Sequence, residues 1–119
     1  MPTKSGQDLF NEAKGRVREI SAADAIQRRA TGEAVMFLDV RDAQEANLGK
    51  IPGAVHVSRG TLEGKVEALV PRAADVVVYC ASGNRSALAV ETLQQMGYTK
   101  LASLAGGFRA WAEQGGEVE

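Results

Sequence analysis

The sequence predicts an α/β fold with a central, mainly parallel five-stranded sheet and helices on both faces. Short apolar or β-branched segments alternate along the chain with segments of helical periodicity. Parallel strands need crossover connections, which are usually helices, so this alternation is typical of a parallel sheet. The chain has 119 residues, 45% of them hydrophobic, which suffices for one domain with its own core.

The N-terminal segment predicts a short helix over residues 8–17. Its apolar side chains recur at near-helical spacing, at Leu9, Phe10, Ala13 and Val17. We expect residues 1–17 to form a helical appendage to a single domain that spans 18–119.

A short strand and a capped helix open that domain. Residues 17–20 are partly β-branched and predict the strand. Ser21 is a candidate N-cap, and Asp24 stands where a capping box has its acid. The helix is therefore predicted at 22–30.

The middle of the chain predicts two strands and a helix. The run 34–40 is apolar until Asp39, as in a strand covered on both faces. A polar loop is expected over 41–50, followed by a turn at Ile51-Pro52-Gly53 and a short strand over 54–57. Apolar residues at helical spacing predict a helix over 61–70, which Pro71 would end.

The last part of the chain contains the strongest strand signal. Residues 75–80 form a β-branched run followed by a glycine-containing loop. A helix over 86–96, a strand over 101–104 and a helix over 108–113 complete the alternation.

Composition excludes several classes of protein. Fourteen basic and fifteen acidic residues give a net charge of −1, so we expect neither a nucleic acid nor a membrane as partner. One cysteine cannot form an intramolecular disulfide, and with the single histidine it cannot build a Cys/His zinc site. We expect no metal and no cofactor. The start MPTKSGQDLF has no apolar stretch, so a cytoplasmic location is expected.

Cys80 is the candidate catalytic residue. It ends the best-defined strand, and ligands of open α/β sheets bind beyond the carboxyl ends of strands. The loop from Ala81 to Arg85 can curl so that its amides point inward, and the following helix start adds further donors. These donors, and Arg85 if it turns inward, would lower the pKa of the thiol. The alternative is a buried structural cysteine, which would need neither this loop nor the arginine.

Four segments in order resemble the rhodanese family of sulfurtransferases: 38–42 (LDVRD), 49–54 (GKIPGA), 80–86 (CASGNRS) and 105–111 (AGGFRAW). With their flanking elements they cover residues from about 18 to 115. The resemblance implies a single rhodanese domain and the rhodanese fold, a parallel sheet wrapped by helices.

The resemblance also implies a reaction without a metal. The Cys80 thiolate would take the sulfane sulfur of a donor such as thiosulfate, and a thiophilic acceptor such as cyanide or a thiol would remove it from the resulting persulfide. A protein could serve as donor or acceptor. The substrate-binding residues implied are Ala81, Ser82, Gly83, Asn84, Arg85 and Ser86, with Arg85 binding the donor's oxyanion.

Three other functions compete with this one. A sulfur carrier or protein-binding module would show little turnover of small molecules. A cysteine-dependent phosphatase of the related type has five residues between cysteine and arginine, whereas this chain has four, between Cys80 and Arg85. An inactive interaction domain is disfavoured because the cysteine is retained.

Two residues are expected to support the site. Asp39 ends a buried strand, where a carboxylate needs partners. Family resemblance implies that it braces the active-site loop by hydrogen bonds. Arg41 is expected to pair with Asp39 or another acid, or else to border the site.

The chain departs from the family pattern at a few positions. Lys50 stands where many members have histidine, and Ala46 follows the family's acid, Glu45, where many have an aromatic residue. Ala81 replaces the basic residue of some thiosulfate-preferring members, so thiosulfate is expected to be a poor donor. Lys50 is expected to be a solvated loop residue; the alternative is that it adds positive potential near the site and steers an anionic donor. His56 is expected to be a structural histidine.

Overall fold

Five strands form the central sheet of the computed structural model, which describes residues 3–119. In chain order they are β1 Glu19–Ile20, β2 Met36–Asp39, β3 Val55–His56, β4 Asp75–Tyr79 and β5 Lys100–Leu104. Their order across the sheet is β1-β5-β4-β2-β3, and every neighbouring pair is parallel. The predicted α/β class and five-stranded parallel sheet are confirmed.

Helices cover both faces of the sheet. They are α1 Gly6–Arg16, α2 Ala22–Ala30, α3 Ala43–Asn47, α4 Leu62–Leu69, α5 Asn84–Gln95 and α6 Gly107–Glu113, with a 3-10 turn at Arg59–Thr61. Ser21 caps α2 as predicted, since its hydroxyl accepts a hydrogen bond from the Asp24 amide at 3.1 Å. Helix α5 begins two residues earlier than predicted because Gly83 is its N-cap.

The loop predicted over 41–50 contains helix α3, so that prediction is wrong. Asp42 is its N-cap, and Glu45 accepts a hydrogen bond from the Asp42 amide at 3.1 Å, which completes a capping box. With five residues, none of them buried, α3 is too short to show an apolar periodicity.

The core has two layers, one on each face of the sheet. Cys80 and Val78 belong to the layer under α1, α4 and α5, and Ala13 of α1 is fully buried in it. Tyr79 belongs to the opposite layer with Phe37 and Trp111, whose rings pack edge to face at 5.4 Å. Successive residues of a strand face opposite sides, so Tyr79 and Cys80 point into different layers. No helix within residues 3–119 is long and apolar enough to cross a membrane.

Candidate active site

Cys80 follows β4 directly and lies at the base of a tight loop before α5. The amides of Gly83 and Ser86 donate hydrogen bonds to its Sγ at 3.1 and 3.3 Å, and the Ser86 hydroxyl lies 3.5 Å from it. Gly83 has a φ of +98°, which lets the backbone turn its amide inward. The predicted convergence of loop donors on the sulfur is present.

These donors change the acidity of the thiol. Cys80 is 1% exposed, and burial alone would raise its pKa. The Ser86 hydroxyl and the amides of Ser86, Ser82 and Gly83 outweigh burial, so the pKa of Cys80 lies below its usual value. Because the residue is shielded from water, these groups take the place of solvent around a thiolate.

Ser86 is held in place by a residue that the sequence analysis missed. Its hydroxyl lies 2.8 Å from that of Ser103 on β5, and both side chains are fully buried. The only signal in the sequence is a serine among the apolar residues 101–104. The pair links the sheet to the start of α5 and orients the hydroxyl beside Sγ.

The start of α6 closes against the loop. The amides of Phe108 and Arg109 donate to the carbonyls of Cys80 and Ala81 at 2.8 and 3.2 Å. Gly107 has a φ of +61°, and a Cβ there would lie 2.5 Å from the Cys80 oxygen. Residue 107 must therefore be glycine for the helix to approach this closely.

Arg85 lies at the rim of the site with its guanidinium on an acid. It donates to both carboxylate oxygens of Glu45 at 3.1 and 3.2 Å, and each side chain is 34% exposed. This hydrogen bond is the main reason that the pKa of Glu45 lies below its usual value. Glu45 stands where the family has an acid, but its role could not be predicted because nothing local in the sequence links it to Arg85.

Asp39 and Arg41 form a buried ion pair on the other face of the sheet. Asp39 accepts hydrogen bonds from Arg41 Nε at 3.0 Å and Nη2 at 2.8 Å, and Nη2 also donates to the Gly49 carbonyl at 2.7 Å. The Arg41 guanidinium lies 4.3 Å from the centre of the Phe108 ring. Of the alternatives for Arg41, the structure selects pairing with Asp39.

Tyr79 joins this pair and was also missed by the sequence analysis. It is aligned with Asp39 in the β2-β4 register, and its hydroxyl donates to the Asp39 carboxylate at 3.0 Å. Within the described chain, Asp39 accepts from Arg41 and Tyr79 and from no residue of the 81–86 loop. The hydrogen bond that connects Asp39 to the loop is the one from Tyr79, the residue that precedes Cys80.

The remaining positions surround this arrangement. Ala81, Ser82 and Asn84 belong to the loop and first helical turn beside Cys80. Lys50 donates to the Ala54 carbonyl at 3.2 Å and lies 3.6 Å from the Glu119 carboxylate. It therefore has two protein partners, unlike the solvated lysine that was predicted. His56 Nε2 lies 2.8 Å from the Arg41 carbonyl.

Comparisons with known proteins agree with this geometry. The family model "Rhodanese-like domain" matches residues 21–114. A sulfurtransferase of Allochromatium vinosum is 37% identical over 99 residues, which are 83% of this chain and 92% of that protein. A proposed sulfur carrier protein of Bacillus subtilis, YrkF, is 30% identical over 91% of this chain; the chain spans only 58% of YrkF.

Solved structures show the same fold. A Rhodopseudomonas palustris protein of unknown function, described as a possible tyrosine phosphatase, has a TM-score of 0.86 and 37% identity, covering 100% of this chain and 97% of that one. A rhodanese-related protein of Thermoplasma volcanium has a TM-score of 0.77 and 36% identity, covering 86% and 97%. The fold, the family model and the identity to the sulfurtransferase together place this chain in the rhodanese-like domain family.

Proposed function

We propose that this protein transfers sulfane sulfur through a persulfide on Cys80. The observation that carries the proposal is the set of donors around Sγ: two amides at 3.1 and 3.3 Å and the Ser86 hydroxyl at 3.5 Å. They favour the thiolate, which is the nucleophilic form of cysteine. The names of the relatives, a sulfurtransferase and a proposed sulfur carrier, support the same chemistry.

The proposed cycle has two steps. The Cys80 thiolate attacks the outer sulfur of a donor such as thiosulfate; a new S–S bond forms, the donor's S–S bond breaks, and sulfite leaves with its electron pair. A thiophilic acceptor such as cyanide then attacks the terminal sulfur, forms thiocyanate and restores the thiolate. The loop residues from Ala81 to Ser86 bind the transferred group, and Arg85 binds the donor's oxyanion. The donor and acceptor in the cell can also be proteins.

Mass spectrometry of the intact protein tests the proposal. Incubation with thiosulfate should add one sulfur atom, and cyanide should remove it. Cys80→Ser, which is close to isosteric, should never gain the sulfur. A gain of sulfur in Cys80→Ser would refute the assignment of Cys80 as the nucleophile.

A sulfur-carrier role is the second candidate, and the similarity to YrkF favours it. A carrier would accept sulfur and deliver it to a protein partner, with small-molecule turnover incidental. Repeated thiosulfate turnover would support an enzyme. A single loading without turnover, together with persulfide-dependent association with a protein, would support a carrier.

Phosphatase activity is disfavoured although one structural neighbour is described as a possible tyrosine phosphatase. Four residues separate Cys80 from Arg85, one fewer than in the phosphatases of the related type. A shorter loop leaves less room to surround a phosphate, and catalysis depends on that fit. We expect no hydrolysis of p-nitrophenyl phosphate above the level of Cys80→Ser.

A further inference from the structure

The guanidinium expected to bind an anionic donor is already occupied by an acid of this chain. Arg85 donates in a bidentate manner to Glu45, at 3.1 and 3.2 Å. Asp42 adds a second carboxylate 4.0 Å from the same guanidinium. Two negative charges thus face one positive charge at the rim of the site.

Helix α3 fixes Glu45 in this position. The same Glu45 Oε1 that accepts from Arg85 also accepts from the Asp42 amide at 3.1 Å, so the capping box and the ion pair share one atom. Arg41 and Lys50 flank α3 in the sequence. Arg41 is engaged with Asp39, and Lys50 with Ala54 and Glu119. An oxyanionic donor that binds Arg85 must therefore displace Glu45 or share the guanidinium with it.

We propose that Glu45 is a positioning and specificity-determining residue that competes with oxyanionic sulfur donors for Arg85. This inference rests on the proposed sulfur transfer and adds the donor class. Binding of small dianions such as thiosulfate is disfavoured, because the Glu45 carboxylate occupies Arg85 and repels a second anion at the rim. Thiol persulfides are favoured, because they carry sulfane sulfur without a sulfonate-type oxyanion. With such a donor, the Cys80 thiolate takes the outer sulfur and the donor thiolate leaves with the electron pair.

Two alkylating agents distinguish the effect of charge at the rim from the effect of thiol reactivity on the alkylation rate. Iodoacetate is an anion and iodoacetamide is neutral, and both alkylate the Cys80 thiolate with loss of iodide. The rate with iodoacetate divided by the rate with iodoacetamide therefore reports how well the site accepts an anion, whether or not sulfur is transferred. In Glu45→Gln this ratio should rise about threefold, because the interaction energy of a partly exposed ion pair corresponds to a change of that size. Glutamine also serves in a capping box, so α3 should be retained.

Glu63→Gln is the matched control. Both oxygens of Glu63 accept from Arg59 Nη1, at 3.1 and 3.2 Å, so it is also a glutamate paired with an arginine, on a helix that does not form the site. This variant should leave the ratio at the wild-type value. Adding Arg85→Gln to Glu45→Gln should abolish the rise, because the competition acts through Arg85. An unchanged ratio in Glu45→Gln, or a rise that persists in the double variant, would overturn the inference.

Steady-state kinetics supply the second readout. With thiosulfate, Glu45→Gln should lower KM about threefold at unchanged kcat. With a low-molecular-weight persulfide, KM should stay at the wild-type value. A lower kcat at unchanged KM would mean a structural role and overturn the inference. If no variant transfers sulfur but the alkylation ratio rises, the proposed function fails and the competition of Glu45 for Arg85 stands.

Discussion

Gly107→Ala should damage both stability and the active-site loop. The added Cβ would lie 2.5 Å from the Cys80 oxygen and 2.5 Å from the Ala81 carbonyl carbon. Both are backbone atoms, so the overlap is relieved only if α6 or the loop moves. Moving either one disturbs the hydrogen bond from the Phe108 amide to the Cys80 carbonyl, now 2.8 Å.

The size of the effect follows from three contributions. An alanine at a φ of +61° is strained by about 1–2 kcal/mol. Overpacking adds about 1–3 kcal/mol. The reduced freedom of the unfolded chain offsets roughly 0.4–1 kcal/mol. With the middle of each range, the free energy of unfolding should fall by about 3 kcal/mol.

Gly32→Ala is the control that isolates the overlap. Gly32 has a φ of +76°, and its Cβ would meet no atom within 4 Å, so only the backbone strain applies. Urea denaturation should show a loss of about 1 kcal/mol in this variant. The pH midpoint of Cys80 alkylation by iodoacetamide should change in Gly107→Ala and stay unchanged in Gly32→Ala. Equal destabilisation in the two variants would refute the close approach of α6 to the loop.

Three further predictions concern the ion pair and the thiol. Asp39→Asn leaves the buried Arg41 without its counter-charge and should lower the free energy of unfolding by about 3–5 kcal/mol in urea denaturation; a loss below about 1 kcal/mol would contradict this account. Because the loop hydrogen bonds lower the pKa of Cys80, the thiolate forms at lower pH, and the midpoint of iodoacetamide alkylation should be lower in the folded protein than in the urea-unfolded chain. Ser86→Ala removes the hydroxyl beside Sγ and should raise that midpoint. An unchanged midpoint would show that the amides alone suffice.

Most of the fold could be predicted because its signals are local. Short apolar or β-branched runs indicate the strands, and helical spacing, aided in some helices by capping or stop residues, indicates α1, α2, α4 and α5. Helix α3 was missed because its only signal is the capping box of Asp42 and Glu45, without an apolar stripe.

The loop around Cys80 could also be predicted from local sequence, since a strand, small residues and a helix start follow one another. The supporting contacts could not, because they join residues far apart in the chain. Tyr79 meets Asp39 through the register of β4 with β2, and Ser86 meets Ser103 through the packing of α5 on β5. Local sequence could not decide whether Arg85 turns inward, because its partner Glu45 is 40 residues away.

A single-turnover experiment tests the central claim, that the sulfur held on Cys80 is the sulfur that is transferred. The protein is loaded with thiosulfate, freed of the donor by gel filtration, and mixed with cyanide. Transfer from a Cys80 persulfide should give one thiocyanate per loaded chain, with the mass of the protein returning to that of the free thiol. A loaded protein that yields no thiocyanate would contradict it.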